Sequence, residues 1–201
     1  NQPYRALSLQ DFWRRWHISL SSWLRDYLYI GLGGNRKGRI KTYRNLLFTM
    51  LLGGLWHGAA WTFVAWGLLH GGGLAIERAI DERNKIRTPK KFGKFLRGFF
   101  TFHLVCAGWV FFRSVDLTRS FEVFAALGNS WTSAPSMNWG IASVLLIGLI
   151  MQTCTVGKFD RFWEQFSTWP ALIQGMLLAV AVVGIDLLGP DGVAPFIYFQ
   201  F

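Results

Sequence analysis

Residues 45–76 form an uncharged segment with the sequence NLLFTMLLGGLWHGAAWTFVAWGLLHGGGLAI. Its 32 residues exceed the roughly 20 that one membrane crossing needs, but they fall short of two complete crossings. Gly53 and Gly54 offer a break within the segment, and non-helical backbone at membrane depth must be enclosed by protein or line a wet cavity. We therefore expect a re-entrant or hairpin segment around residues 45–76, with Trp56 and His57 near its turn.

Basic clusters flank this segment on both sides. Five basic residues lie within residues 36–44, and eight more lie between residues 78 and 97. Positive clusters beside apolar segments are typical of cytoplasmic loops, so we expect residues 77–97 to form a basic loop. The whole chain of 201 residues is 52% hydrophobic and 16% charged, against roughly 25% charged for an average soluble domain. Although the net charge of +10 would suggest nucleic acid in a soluble protein, its distribution indicates a lipid bilayer as the partner and no nucleic acid.

Two segments have the pattern of helices that lie along a membrane surface. Residues 8–30 place apolar and aromatic side chains on one helical face and basic ones on the other, which is typical of an interfacial amphipathic helix. Ser8 followed by Asp11 fits a capping box at the start of that helix. Residues 116–127 have a similar amphipathic pattern. We expect both segments to be interfacial helices.

The remaining apolar segments complete the predicted organisation. Membrane spans are expected at residues 95–112, 140–156 and 171–188. The sequence thus predicts an all-α, polytopic membrane protein that forms one domain over residues 1–201. Within this domain, residues 1–76 bear the motifs and residues 98–201 supply the C-terminal transmembrane helices.

The histidines are the candidates for chemistry, because an ionisable side chain within a membrane is costly and suggests a function. His57 has no carboxylate near it in the sequence. A neutral imidazole in such a place suits a general base, which accepts the proton of a hydroxyl that attacks an acyl group. The alternative is a histidine that only hydrogen-bonds a carbonyl between helices. His17 lies at the edge of the apolar face of its helix, where a packing role is the simpler interpretation.

Several kinds of site find no support in the sequence. There is no HExxH, GxxxxGK[ST], GxSxG or strand-linked GxGxxG motif, and neither cysteine has the spacing of metal ligands. We therefore expect no metal site and no bound cofactor.

A set of motifs resembles the membrane-bound O-acyltransferase (MBOAT) family. These motifs are DFWRRWHISL at 11–20, WLRDYLYI at 23–30, LGGNR at 32–36, RN at 44–45, LLGGLWHGA at 51–59, WGLLHG at 66–71 and PFIYFQF at 195–201. The similarity is strongest to the bacterial branch that acetylates exopolysaccharides such as alginate. Because members of the family are more than twice as long, the resemblance implies a partial helical core from their C-terminal part, and we expect the isolated piece to be inactive.

The resemblance implies roles for particular residues. His57 matches the histidine taken to be the catalytic base of the family, and His17 matches a second histidine that this branch has beside the active-site tunnel. Trp16, Asn45 and Trp56 are expected to bind substrate or to support the two histidines.

The family's reaction also implies partners and a location. The acyl donor is expected to be acetyl-CoA or another acyl thioester from the cytoplasm. The acceptor is expected to be an exopolysaccharide outside the cytoplasm, reached through a periplasmic partner protein that carries the acetyl group. We expect a multi-pass protein of the bacterial inner membrane.

Two other functions remain open at this stage. One is the transfer of D-alanyl groups to teichoic acid, which occurs within the same family. The other is a non-catalytic membrane scaffold or export component, in which His57 serves only in helix packing.

Overall fold

The computed structural model describes residues 2–84, 91–129, 139–153 and 156–188 of the chain. Regular structure in these ranges is entirely helical, as the sequence predicts, and no strand occurs among them. The chain divides into two compact units, Asn1–Trp131 and Thr132–Phe201.

The described part of the first unit contains a short 3-10 turn, a π-helical segment and six α-helices. In chain order these are the turn Pro3–Arg5, α1 Leu9–Arg15, α2 Ile18–Trp23, the π segment Leu24–Tyr29, α3 Arg39–His57, α4 Trp61–Asn84, α5 Lys91–Arg113 and α6 Leu117–Asn129. Its buried apolar core lies where α1 meets α5, around Leu9, Phe12 and Val105.

Helices α3 and α4 form an antiparallel hairpin joined by residues 58–60. Gly54 of α3 lies against Phe63 of α4, and Leu47 of α3 lies against Gly71 of α4. The residue numbers in contact therefore increase along α3 as they decrease along α4, as in any antiparallel pair of helices. The hairpin predicted around residues 45–76 is confirmed, and its turn follows His57.

The break expected at Gly53 and Gly54 is wrong, because α3 continues through both residues to His57. Both glycines are buried within the helix. A β-carbon at position 53 would lie 3.1 Å from a side-chain carbon of Leu24, and one at position 54 would collide with the carbonyl oxygen of Phe63. The two glycines thus serve close packing, and the turn comes one helical turn later.

The single helix expected over residues 8–30 is also wrong, because the chain breaks at Trp16 and His17. Helix α1 ends before Trp16, and His17 has a left-handed backbone with φ of 40° and ψ of 56°. The Ser21 hydroxyl donates to the Trp16 carbonyl at 2.8 Å and secures the new start. The predicted cap is confirmed, since the Ser8 Oγ accepts from the Asp11 backbone N–H at 3.0 Å.

The basic stretches are more helical than predicted. Helix α3 begins at Arg39, while α4 extends to Asn84 and α5 begins at Lys91, so residues 77–97 are not a loop throughout. Residues 85–90 of that stretch, with Pro89, lie outside the described residues. Ion pairs compensate charge on the helices, as in the 2.8 Å contact of Arg78 with Glu82 within α4.

Helix α5 is the one described helix that is long and apolar enough to cross a membrane, and it contains the span expected at residues 95–112. Helix α6 covers the amphipathic segment expected at residues 116–127 and packs on α5 through Phe111 and Phe124, whose ring centroids lie 5.4 Å apart.

The second unit contains three described helices, α7 Trp139–Thr153, α8 Val156–Ser167 and α9 Ala171–Leu188. Helices α7 and α9 coincide with the predicted apolar segments, although their continuous apolar stretches, Ala142–Met151 and Ala171–Gly184, are shorter than 18 residues. Helix α8 is amphipathic and was not expected from the sequence. The tail PFIYFQF lies outside the described residues.

Candidate active site

His57 lies at the end of α3, where four aromatic rings surround its nearly buried imidazole. The ring centroids lie 4.8 Å away for Phe112, 4.9 Å for Trp56, 5.8 Å for Trp66 and 6.0 Å for Phe63. These rings come from α3, α4 and α5. Because the hairpin turn begins directly after His57, the imidazole lies where three helices meet.

Trp66 connects His57 with a second buried histidine. Its ring lies 4.8 Å from the ring of His70, which also contacts Phe12 and Trp13 of α1 at 6.3 and 5.4 Å. On a continuous helix, residues 57 and 70 would point about 140° apart. Since the chain turns between them, both histidine rings instead contact the same indole.

His17 lies in the turn between α1 and α2, on the surface of the chain. Its Nδ1 is 3.5 Å from the Ser19 hydroxyl, and it is close enough to His57 for the two imidazoles to interact electrostatically. Left-handed backbone at a residue other than glycine is uncommon and concentrates at functional sites. The break in residues 8–30 therefore places His17 in a turn between two helices rather than within one helix.

Trp16 and Trp56 are adjacent in sequence to the two histidines but differ in surroundings. Trp16 is half-buried, and its ring lies 5.9 Å from that of Phe12 and 5.1 Å from that of Trp109. Trp56 contacts the His57 ring and is 56% exposed. Trp56 thus belongs to the aromatic wall of His57, whereas Trp16 packs against Phe12 and Trp109 directly before the turn that holds His17.

Asn45 lies apart from the other predicted site residues. It precedes His57 by 12 positions on one continuous helix, which corresponds to about 18 Å at 1.5 Å per residue. Its fully buried amide donates to the carbonyls of Leu32 and Gly34 at 3.2 and 3.0 Å, and its oxygen accepts from Arg44 at 3.1 Å. These contacts secure the loop before α3.

A cavity of about 800 Å³ opens beside the basic end of the hairpin. Leu24, Thr49 and Met50 line its inner part, and Met50 lies seven residues before His57, or about 10 Å along the helix. Four guanidinium groups line it as well, those of Arg14, Arg25, Arg36 and Arg78. Sequence reasoning anticipated basic residues in the loops but missed Arg14 and Arg25, which lie on the polar face of residues 8–30.

The carboxylates around this cavity already have partners. Asp81 pairs with Arg97 at 3.0 Å, and Glu82 pairs with Arg78 at 2.8 Å. In contrast, no ion pair or side-chain hydrogen bond of Arg14 or Arg36 occurs within the part of the chain that the structure describes. The cavity therefore offers two guanidinium groups suited to an anionic ligand.

Comparison with known proteins shows the family of the chain. A profile of the membrane-bound O-acyltransferase family, MBOAT, matches residues 2–113. The chain belongs to this family. It is therefore a membrane protein, and the matched region ends with the last residue of α5.

Curated relatives agree with this assignment. The chain is 49% identical over 168 residues to a probable alginate O-acetylase AlgI of Azotobacter vinelandii, covering 79% of this chain and 32% of the relative. It is 39% identical to a probable AlgI of Pseudomonas putida, covering 100% of this chain and 45% of the relative. It is 47% identical to a peptidoglycan O-acetyltransferase of Helicobacter pylori, covering 63% and 24%. The chain thus spans less than half the length of these MBOAT relatives.

The region that matches MBOAT contains both histidines of the candidate site and all residues that line the cavity. Among the described residues, no group of three or more His, Cys, Asp or Glu side chains has an arrangement that could hold a metal ion. The candidate site therefore consists of imidazoles, aromatic walls and a cationic cavity.

Proposed function

We propose that this chain is part of a membrane O-acyltransferase that moves an acetyl group from a cytoplasmic thioester towards hydroxyls of an extracytoplasmic polysaccharide of the alginate type. The observation that carries the proposal is the position of His57, whose buried imidazole lies among aromatic rings of three helices where α3 ends at the hairpin turn. The names of the MBOAT relatives support acetyl as the group transferred.

In this proposal, His57 acts as the general base. Its imidazole takes the proton of the acceptor hydroxyl while the hydroxyl oxygen attacks the thioester carbonyl. The tetrahedral intermediate then expels the thiolate, which receives the proton from the imidazolium, so the products are an oxygen ester and a thiol. His17 would stabilise the negative charge on the carbonyl oxygen during this step. Trp16 and Trp56 would enclose the reacting groups.

The cationic cavity is our candidate for the donor. Arg14 and Arg36 would bind phosphate groups of acetyl-CoA or of another phosphate-bearing acyl thioester, because guanidinium groups recognise phosphate well. The cavity adjoins the basic end of the α3–α4 hairpin, which the positive-inside rule assigns to the cytoplasm. Its inner residues Thr49 and Met50 lie on the path along α3 towards His57.

The remaining parts of the proposal concern the whole protein. We infer a multi-pass location in the bacterial inner membrane, with a periplasmic partner that carries the acetyl group onward through its own hydroxyl nucleophile. The bilayer surrounds the helices, and the exopolysaccharide is the final acceptor. Asn45 would support the site by holding the loop before α3 rather than by contact with the reacting groups.

The experiment compares ester-linked acetyl on exported polysaccharide in cells that carry the full-length protein or its His57→Ala variant, at equal membrane levels. His103→Ala is the matched control, because this histidine is exposed on α5 and hydrogen-bonds the Phe99 carbonyl of its own helix at 2.8 Å. We expect acetylation to be lost in the first variant and kept in the control. Unchanged acetylation in His57→Ala would overturn the proposal and favour a non-catalytic scaffold. Detection of D-alanyl ester in place of acetyl ester would instead favour the transfer of D-alanyl groups to teichoic acid.

A further inference from the structure

Glu77 of α4 contacts the start of α1. Its carboxylate accepts hydrogen bonds from the backbone N–H of Leu9 at 2.6 Å and of Gln10 at 3.4 Å. The first N–H groups of a helix have no partner within the helix, and negative charge is favourable at that end. A side chain distant in sequence thus provides part of the cap of α1.

Helix α1 depends on such contacts from outside. It has seven residues, and helices of this length are only marginally stable by themselves in water. Phe12 and Trp13 pack it against His70 and Trp66 of α4. Glu77 adds a polar contact to the same helix, so α4 secures both the middle and the start of α1.

The orientation of α1 determines where its end lies. The helix stops directly before Trp16, and His17 follows in the left-handed turn. His17 follows Leu9, which Glu77 binds, by only eight positions. A short helix that is secured at its start transmits any change of direction to the turn at its other end.

We infer that Glu77 is a positioning residue that holds α1, and through it His17, in place relative to His57. This inference rests on the proposed function, in which His17 contributes to acyl transfer. Glu77 itself would not contact the reacting groups, since its carboxylate binds the backbone of α1. Because Glu77 also lines the cationic cavity, the test must separate an effect through His17 from an effect on the donor.

A double-mutant comparison in the full-length protein makes this separation. The acetylation rate of exported polysaccharide is measured for Glu77→Ala, for His17→Ala and for the double variant, at equal membrane levels. We expect Glu77→Ala alone to lower the rate about tenfold, since a small displacement of a catalytic group can cost up to about a hundredfold. In the His17→Ala background, the same change should lower the rate less than twofold.

The control is Glu122→Ala, which removes an exposed carboxylate whose ion pair with Arg119 lies within α6, and it should leave the rate unchanged. If Glu77→Ala does not accumulate, Glu77→Met, which keeps the length of the side chain but removes the acceptor oxygens for α1, replaces it in both backgrounds. An equal loss in both backgrounds, or no loss, would overturn the inference. Failure of the proposed function is a separate result, because His57→Ala would then leave acetylation intact.

Discussion

A β-carbon at Gly71 of α4 would lie 2.9 Å from the Cα of Leu47 in α3. Gly67, one helical turn earlier, faces the Met50 carbonyl oxygen, from which its β-carbon would lie 2.7 Å away. Glycine on this face of α4 thus allows the two backbones to touch. The close contact fixes the hairpin and therefore the position of Trp66 beside His57.

We predict that Gly71→Ala destabilises the protein by about 1–3 kcal/mol, the usual cost of inserting a carbon into a packed interior. Gly72→Ala is the matched control, because a β-carbon there would have no neighbour within 4 Å. That variant should be neutral or slightly stabilising, since alanine favours helix by about 1 kcal/mol over glycine. Thermal unfolding of the full-length protein in detergent measures both, and equal effects would contradict the close approach.

Asn45 gives a second prediction, which separates stability from catalysis. Asn45→Ala leaves the carbonyls of Leu32 and Gly34, the second of them buried, without their donor, so we expect a loss of about 1–3 kcal/mol in stability. The folded fraction should keep its rate of acetyl transfer, because Asn45 lies far from His57 along α3. Asn129→Ala, at the exposed end of α6, is the control. A lower rate at unchanged thermal stability would instead assign Asn45 to the reaction.

The hairpin could be predicted because its length and charge pattern are properties of the sequence itself. An uncharged segment that is too long for one membrane crossing and lies between two basic clusters can adopt few arrangements in a membrane. The position of His57 near the turn follows from the same argument. The prediction of a break at Gly53 and Gly54 is wrong, because glycine permits both a chain break and close helix packing. Only the position of the neighbouring helix decides between the two.

The break at Trp16 and His17 could not be predicted, because the apolar periodicity continues across it. The polar contacts that stabilise the break, such as Ser21 to the Trp16 carbonyl, carry no signature in the sequence. Helix α1 also depends on Glu77, which is 68 positions from Leu9. Likewise, the motifs place Asn45 and His57 in one candidate site, whereas the continuous helix α3 separates them by about 18 Å.

The cationic cavity leads to a prediction about the donor. Arg36→Ala should raise the KM for acetyl-CoA about tenfold or more with little change in kcat, because a hydrogen bond to a charged group contributes about 1.5–3 kcal/mol. Added salt should reduce the difference between variant and parent, since it screens the attraction between phosphate and guanidinium.

Arg161→Ala is the control for this measurement. Arg161 is exposed on α8, outside the residues that line the cavity, and its side chain bonds the Gly157 carbonyl of the same helix. The assay uses the full-length protein in vesicles with labelled acetyl-CoA. If Arg36→Ala and Arg161→Ala both kept the parent KM, the cavity would not be the site of donor binding.

Phe112 leads to a prediction about the size of the acyl group. Its ring lies 4.8 Å from the His57 ring, and it also contacts Phe63 and Trp66 at 5.1 and 5.8 Å. It thus fills one side of the space beside the proposed base. Phe112→Leu removes part of this aromatic wall while keeping an apolar side chain, so we expect transfer of butyryl relative to acetyl to increase severalfold.

Phe111→Leu provides a matched comparison, because the neighbouring ring faces α6 and contacts Phe121 and Phe124 instead of His57. Both variants remove a phenyl ring from α5 and should lose similar stability. Competition between acetyl and butyryl donors measures selectivity independently of the amount of folded enzyme. A shift in Phe112→Leu alone would assign acyl size to the aromatic wall of His57. An equal shift in both variants, or none in either, would contradict that role for Phe112.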